Sequence, residues 1–419
     1  MTDLSAAPVS RRTVLKGAAL GGVATFIAAC TGTKTGASPS ASAAASAAPS
    51  SSAVAGASAT PAEPTPVPSP TGPLMFANWP AYIDLAGKAG DEGAYAPGSS
   101  PTLEDFQKQY GVKVDYQEKI GDNNAFVETI KPALVAGLAT GWDLMVLTDW
   151  MASKIVTNGW AEKIDQSSVP NCVANVADSL KGYPWDPNMD YHYPWQSGMT
   201  GVGYNVKTLT ENNIAEPTKI ADLWNIPADK LTFLTEARDT FGLALLKLGI
   251  DANPETVTTD DLQKVADDIQ PLVDKGLRFT GNEYLQDFAQ KKVWAAMVWS
   301  GDLASSGGED DRFIVPEEGV LIWTDNMLIP KGAANKYTAE LMMNYVYDPK
   351  VAAQIAAYVY YVSPVKGAAD EIKALDESAA TNPLLFPDAA TIAKQHSFQA
   401  LSDEQESTMN DLFATLSGL

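Results

Sequence analysis

Beyond about residue 73, apolar and polar positions switch between a two-residue and a four-residue period, and the switches outline a run of alternating elements. Leu74 to Asn78 is a short strand that delivers Trp79-Pro80-Ala81-Tyr82 at its end. Thr102-Leu103-Glu104-Asp105-Phe106 opens a helix with a capping-box-like start, with Leu103, Phe106 and Tyr110 on one face and Gly111 as its stop. Val112 to Glu118 alternates as a strand. Phe126, Ile130, Leu134 and Leu138 then mark a helix, and Asp143 to Thr148 reads as a buried strand ending in Thr148-Asp149-Trp150. Strand, helix, strand, helix, strand predicts an α/β lobe with a mainly parallel sheet, in which ligands bind beyond the carboxyl ends of strands.

Tyr191 to Asn205 carries glycines at 198, 201 and 203 and fits a crossing between lobes. A second α/β unit follows: strand Leu231 to Thr235, loop Glu236-Ala237-Arg238-Asp239, helix Thr240 to Leu248 stopped by Gly249, and an amphipathic helix with Leu262, Val265 and Ile269. Near the C-terminus, helices at about 337 to 347 and 350 to 360 lead into Tyr360-Tyr361. No internal repeat and no transmembrane helix is evident.

Between Val293 and Asp325 one arrangement occurs twice. Ala296-Met297-Val298-Trp299-Ser300-Gly301-Asp302 and Val320-Leu321-Ile322-Trp323-Thr324-Asp325 are both apolar strand-like runs that end in a tryptophan and a carboxylate. Residues two apart on a strand share a side, so Trp323 and Asp325 face one cleft together. Gly301 lets the chain turn sharply and bring Asp302 back beside Trp299. A ring face beside a carboxylate suits an organic cation, which the ring attracts by its quadrupole and the carboxylate by its charge. One such unit alone is equally compatible with a core tryptophan and a turn aspartate; two within 33 residues favour one wall of an amine-binding cleft.

At 419 residues the chain predicts two lobes. Residues 1-29 read as a targeting segment. Ser10-Arg11-Arg12-Thr13-Val14-Leu15-Lys16 has the twin-arginine pattern, and the apolar run Gly17 to Ala29 is too short to span a bilayer. Phe26-Ile27-Ala28-Ala29-Cys30 resembles a lipoprotein cleavage box, with Cys30 taking the lipid. Residues 30-72 are Ser, Ala, Thr, Gly and Pro almost throughout and read as a disordered tether that, extended, reaches on the order of 140 Å. These features predict an exported chain held by a lipid on the outer face of the cytoplasmic membrane. With Cys30 lipidated, Cys172 has no partner for a disulfide, so the core must supply the stability. The net charge is −22, and about −24 without the targeting segment. Such a surface repels nucleic acid and anionic lipid headgroups and steers cations.

Several chemistries lack their residues. The two histidines, His192 and His396, read as surface or hinge residues, and no Gly-x-Ser-x-Gly elbow accompanies them. Walker, dinucleotide, His-Glu-x-x-His, paired-cysteine and Asp-x-Asp-x-Asp-Gly patterns are absent, so no cofactor or metal is expected. A glycosidase needs only two carboxylates and stays open on residue types, although acids beside aromatics at several strand ends speak for binding instead.

With these residues in view the chain resembles the polyamine-binding lipoproteins of ABC importers, the spermidine/putrescine substrate-binding family, from about Leu74 to near the C-terminus. The landmarks occur in order: Asn78-Trp79-x-x-Tyr82; Asp143-Leu144 through Thr148 and Trp150; Asp190-Tyr191 with Pro194; Thr235-Glu236-Ala237-Arg238-Asp239; Trp299-Ser300-Gly301-Asp302; Trp323-Thr324-Asp325; Tyr361 with Pro364; and Pro387-Asp388-Ala389 leading to Gln399.

The resemblance implies an α/β, two-lobed periplasmic-binding-protein-like fold of type II, each lobe a mixed, mainly parallel sheet flanked by helices. Residues 73-199 plus 324-369 would form lobe 1, and 200-323 plus 370-419 lobe 2. It implies that Trp79, Tyr82, Trp150, Trp299, Trp323 and Tyr361 wall the methylene chain of a polyamine. Glu236, Asp239, Asp302 and Asp325 would bind ammonium groups, with Thr148 and Gln399 as neutral partners. A non-enzymatic, monomeric receptor that hands its ligand to permease subunits is the implied function; a same-fold receptor for a sugar or another organic cation is the alternative. Relatives carry a hydroxyl residue and then an acid after the first tryptophan, whereas this chain has Pro80 and Ala81, and Asp149 stands nearby as a substitute. Gly281 stands where spermidine binders have a serine. Asp302 follows the putrescine pattern and Glu236 with Asp239 the spermidine one, which leaves the ligand's length open.

Overall fold

The computed structural model describes residues 68–87, 95–253, 255–380, 382–397 and 401–418. The targeting segment, Cys30, nearly all of the tether and Gln399 lie outside them. Ten strands are present: β1 (Leu74–Asn78), β2 (Val114–Glu118), β3 (Leu144–Thr148), β4 (His192–Asn205), β5 (Leu231–Leu234), β6 (Arg278–Thr280), β7 (Ala295–Trp299), β8 (Asp311–Ile314), β9 (Val320–Leu328) and β10 (Gln395–His396). Their order is β2-β1-β3-β9-β4-β7-β5-β6, with β8 beside β4 and β10 beside β9. β1 runs parallel to β2 and β3, and β5 runs parallel to β6 and β7. These are the two α/β units expected from the alternating periods. Among the described residues no helix is long and apolar enough to cross a membrane.

β4 and β9 join the halves. β9 pairs with β3 through Asp325–Leu328, and the full β4·β9 ladder runs from His192↔Leu328 to Thr200↔Leu321 with a bulge between Pro194 and Gln196. From Thr200 onward β4 pairs with β7 instead. The expected crossing at 191–205 is therefore a 14-residue strand buried along almost its whole length. Its glycines make room for neighbours. A Cβ at Gly198 would lie 2.6 Å from the Trp323 ring and 2.8 Å from that of Tyr361.

Helix ends follow their local signals. Ser100 caps Pro101–Tyr110 by accepting from the Leu103 amide, and Gly111 closes that helix at φ 69°. Helix Asn123–Ala136 ends two residues earlier than its apolar spacing suggests, because Gly137 turns left-handed; Leu138 falls outside it and is exposed. The residues Ala237 to Asp239, expected in a loop, are the first turn of helix Ala237–Lys247, with Glu236 as its N-cap. His192 is fully buried, not superficial, and its Nδ1 lies 2.7 Å from Asp186 Oδ2. His396 is partly exposed, 3.3 Å from Asp251. Cys172 is buried and free.

Asp143, buried just before β3, ties β1 to the start of helix Lys336–Val346. Its carboxylate accepts from the Met75 amide (3.0 Å), the Asn335 amide (2.8 Å) and the Asn335 side chain (2.9 Å). Asp143→Ala leaves three donors without their acceptor, and a loss of about 3 kcal/mol is expected. Chemical denaturation measures it, and an unshifted midpoint would show that the tie contributes nothing.

Candidate functional site

Strand ends and helix starts converge between the halves on a cleft that is partly open to solvent. β1 presents Trp79 at its end and Tyr82 in the turn that follows. β3 ends in Thr148, and helix Asp149–Thr157 begins there with Asp149 and Trp150. β5 leads through Glu236 to Asp239. β7 ends in Trp299, and helix Ser300–Ser306 carries Asp302 in its first turn. β9 supplies Trp323 and Asp325. Tyr360, in left-handed conformation after helix Pro349–Val359, turns Tyr361 inward. Twelve of the thirteen residues expected here line this one cleft; Gln399 lies outside the described residues.

The rings close on one another. Trp79 meets Trp299 edge-to-face at 6.2 Å, Tyr82 meets Tyr361 at 5.2 Å, and Trp323 lies 5.4 Å from Tyr361. The Trp79 indole donates to the Val146 carbonyl (3.1 Å), which holds its face toward the space. Gly301 has a different role from the sharp turn expected of it: a Cβ there would sit 2.5 Å from the Tyr361 ring, so the glycine lets that ring pass over the helix start. Asp325 is also not at a strand end. β9 continues to Leu328, and Asp325 reaches the cleft by strand alternation two residues after Trp323.

Each carboxylate is held by neutral donors. Asp302 accepts from the Tyr284 hydroxyl (2.8 Å), the Asn282 amide (2.6 Å) and the Tyr361 hydroxyl (2.9 Å). Asp239 accepts from the Thr200 hydroxyl and the Trp299 indole, both at 2.8 Å, while Trp323 donates to Thr200 Oγ1 (3.0 Å). Asp325 accepts from the Thr148 hydroxyl (2.8 Å). Glu236 accepts from Asn123 Nδ2 at 2.7 Å, and Asn123 also pairs with Thr148 through both its amide groups, so this fully buried asparagine bridges the halves. Asp149, Asp239 and Asp302 each sit in the first turn of a helix, where the free amides and the helix dipole favour an anion.

That help is incomplete. Burial pushes the Asp149 carboxyl up to about 7, against the Trp150 and Thr324 amides and the Arg238 charge, which pull it down. Burial likewise takes Asp325 to about 7, with the nearby Asp149 and Asp239 charges adding to the rise and the Thr148 and Tyr82 hydroxyls opposing it. Asp239 rises to about 6, and Glu236 is raised by burial and by Asp122 and Asp239. Among the described residues Arg238 is the one basic side chain lining the cleft. Its guanidinium lies 4.2 Å from the Trp150 ring centroid and 3.8 Å from Glu406, and burial lowers it to about 10. Glu406, on helix Asp403–Ser417, also pairs with Lys154.

Sequence periodicity does not single out Asn123, Thr200, Asn282, Tyr284 or Arg238 for this site. Only Asn123 carried a local signal, as a polar residue at a helix start whose cap, Asp122, was already supplied. Among the described residues no group of three or more His, Cys, Asp or Glu is placed to hold a metal ion.

An aromatic and acidic cleft between two α/β units joined by long crossing strands is the architecture of a solute receptor, and comparison bears this out. Residues 102–387 match the model for bacterial extracellular solute-binding proteins, and the chain belongs to that family. Over 324 residues, 77% of this chain and 85% of the relative, it is 30% identical to a spermidine/putrescine-binding periplasmic protein of Salmonella typhimurium. The putrescine-binding periplasmic protein PotF of Escherichia coli is 28% identical over 339 residues, again 77% of this chain and 85% of the relative. The Tp0655 (TpPotD) lipoprotein of Treponema pallidum superposes with a TM-score of 0.65 at 19% identity, covering 83% of this chain and all of that one. The fold is thus the two-lobed, periplasmic-binding-protein-like one, and the family is one of transport receptors, not of enzymes.

A carboxylate whose folded pKa stands above its unfolded value near 3.8 stabilises the fold below that value and loses this contribution as pH rises through the folded pKa. For Asp325, Asp149 and Asp239 the window is about pH 4 to 7. Without ligand, Asp325→Asn is therefore expected to gain on wild type as pH goes from 5 to 8, by on the order of 2 kcal/mol. Denaturation of both proteins across this range measures the difference, and a difference that stays constant contradicts the assignment.

Proposed function

We propose that the chain is an extracytoplasmic receptor that captures a polyamine of the putrescine or spermidine class in this cleft and delivers it to an ABC permease. The observation that carries the reading is the convergence of six rings and five carboxylates on one space lined, among the described residues, by a single basic side chain. Trp79, Tyr82, Trp150, Trp299, Trp323 and Tyr361 would enclose the methylene chain. Glu236, Asp239, Asp302 and Asp325 would pair with ammonium groups, with Thr148 and Gln399 as neutral partners. Lobe 1 would comprise 73–199 and 324–369, and lobe 2 200–323 and 370–419. A twin-arginine signal would export the chain, and a lipid on Cys30 would anchor it through the tether as a monomer on the outer face of the cytoplasmic membrane. It would act without catalysis.

Magnitudes agree with such a role. Charge-assisted hydrogen bonds contribute roughly 1.5 to 3 kcal/mol each, and a desolvated cation on an aromatic face about 2. Against them stands an association cost of roughly 4 to 15 kcal/mol, so micromolar to nanomolar dissociation constants are in reach. Calorimetry of residues 73–419 is expected to show heat with putrescine or spermidine, and Asp325→Ala to abolish it. No heat with either amine overturns the proposal.

A further inference from the structure

The carboxylates differ in where they stand and in how they are already engaged. Asp239, Asp302 and Glu236 belong to the half built on β5 and β7, and Asp325 to the crossing strand β9. The half built on β1 and β3 must supply its own anion if a ligand charged at both ends is to draw the halves together. Its turn after β1 does not. Pro80 is the residue of that turn between the two rings that reaches the cleft, and Ala81, in left-handed conformation at φ 56°, donates its amide to Glu118 Oε1 at 2.7 Å.

Among the described residues Asp149 is the one acid this half places on the cleft wall. It follows Thr148, the cross-strand partner of Asp325, so the two carboxylates stand at adjacent corners of the β3·β9 ladder. Asp149 accepts from the main-chain amide of Trp150 (2.7 Å), with the Thr324 amide also lowering its pKa, whereas Asp239, Asp302, Asp325 and Glu236 are all held by side-chain donors. A carboxylate has about four acceptor positions, so Asp149 keeps capacity for a further donor. An aspartate in the first turn of a helix is common as a purely structural residue, but such a residue works as well in water. This one is 5% exposed and lines the cleft together with Trp150. Arg238 does not cancel it, since that guanidinium lies against Trp150 and is shared with Glu406 and the other cleft acids.

We propose that Asp149 receives one terminal ammonium of the ligand at its corner with Asp325, and that residue 149 thereby decides whether the cleft prefers a positive charge at that end. This assignment rests on the polyamine reading above. It is tested with the full chain by calorimetry against putrescine and its mono-N-acetyl derivative, which has lost one charge. Wild type is expected to prefer the diamine by about tenfold or more, the worth of one charge-assisted hydrogen bond. In Asp149→Asn that preference is expected to fall to about threefold or less, through weaker binding of the diamine. Equal weakening toward both ligands would mark Asp149 as structural, and an undiminished preference would mark it as uninvolved; either result overturns the assignment alone. If wild type binds neither ligand, the polyamine reading falls and the assignment with it.

Discussion

A carboxylate taken out of water seeks a positive charge, and five are gathered in one cleft with Arg238 as the only cation that the described residues place on its walls. Hydrogen bonds from neutral groups and three helix starts soften this imbalance without removing it, as the elevated Asp149, Asp239 and Asp325 carboxyls record. A protein evolving for stability alone would replace such acids. Their retention in a single space, faced by rings that cannot supply charge, makes the cleft a trap for an organic cation. The rings exclude water and so strengthen each ion pair that a ligand forms there.

The two crossing strands make this arrangement possible. β4 and β9 belong to both halves, so a residue on either stands at the meeting point whatever the separation of the lobes. Asp325 and Trp323 are on β9. Thr200 on β4 links the Trp323 indole to Asp239 of the far half, and Gly198 on β4 leaves the volume into which Trp323 and Tyr361 pack. The hinge therefore does not merely connect the lobes; it carries the central carboxylate and sets where the rings can lie.

Much of this was legible because strand periodicity and strand ends are local properties. Thr148 and Trp299 end strands, Trp79 directly follows one, and the pair Trp323 and Asp325 needs only the two-residue alternation. Where local signals compete the reading slips: Glu236 to Asp239 look like a charged loop, yet they are a cap and first turn, because an acid is favoured in both settings. What could not be read was the partner of each acid. Asn123, Thr200 and the pair Asn282 and Tyr284 lie on three separate segments, and their pairing is decided by register and packing across the halves. Gly301 shows the same limit. Its local reading was a turn, while its constraint is the ring of Tyr361, sixty residues further along the chain.

The Asn123–Glu236 bond raises the question of what keeps the halves together without a ligand. A hydrogen bond to a charged group contributes about 1.5 to 3 kcal/mol. Ionised neighbours oppose it: the Asp149 and Asp239 charges raise Asp325, and the Asp122 and Asp239 charges raise Glu236. Burial and like charge together therefore favour proton uptake by the cleft acids when no cation is bound, in line with carboxyls raised toward 7. Protons and a bound cation then serve the same need. A proton silences one carboxylate, whereas an extended ligand with a charge at each end neutralises acids on both halves at once and also fills the space between the rings. Closure on such a ligand replaces protons by ammonium groups, which makes the selectivity of the cleft a matter of charge spacing as much as of shape.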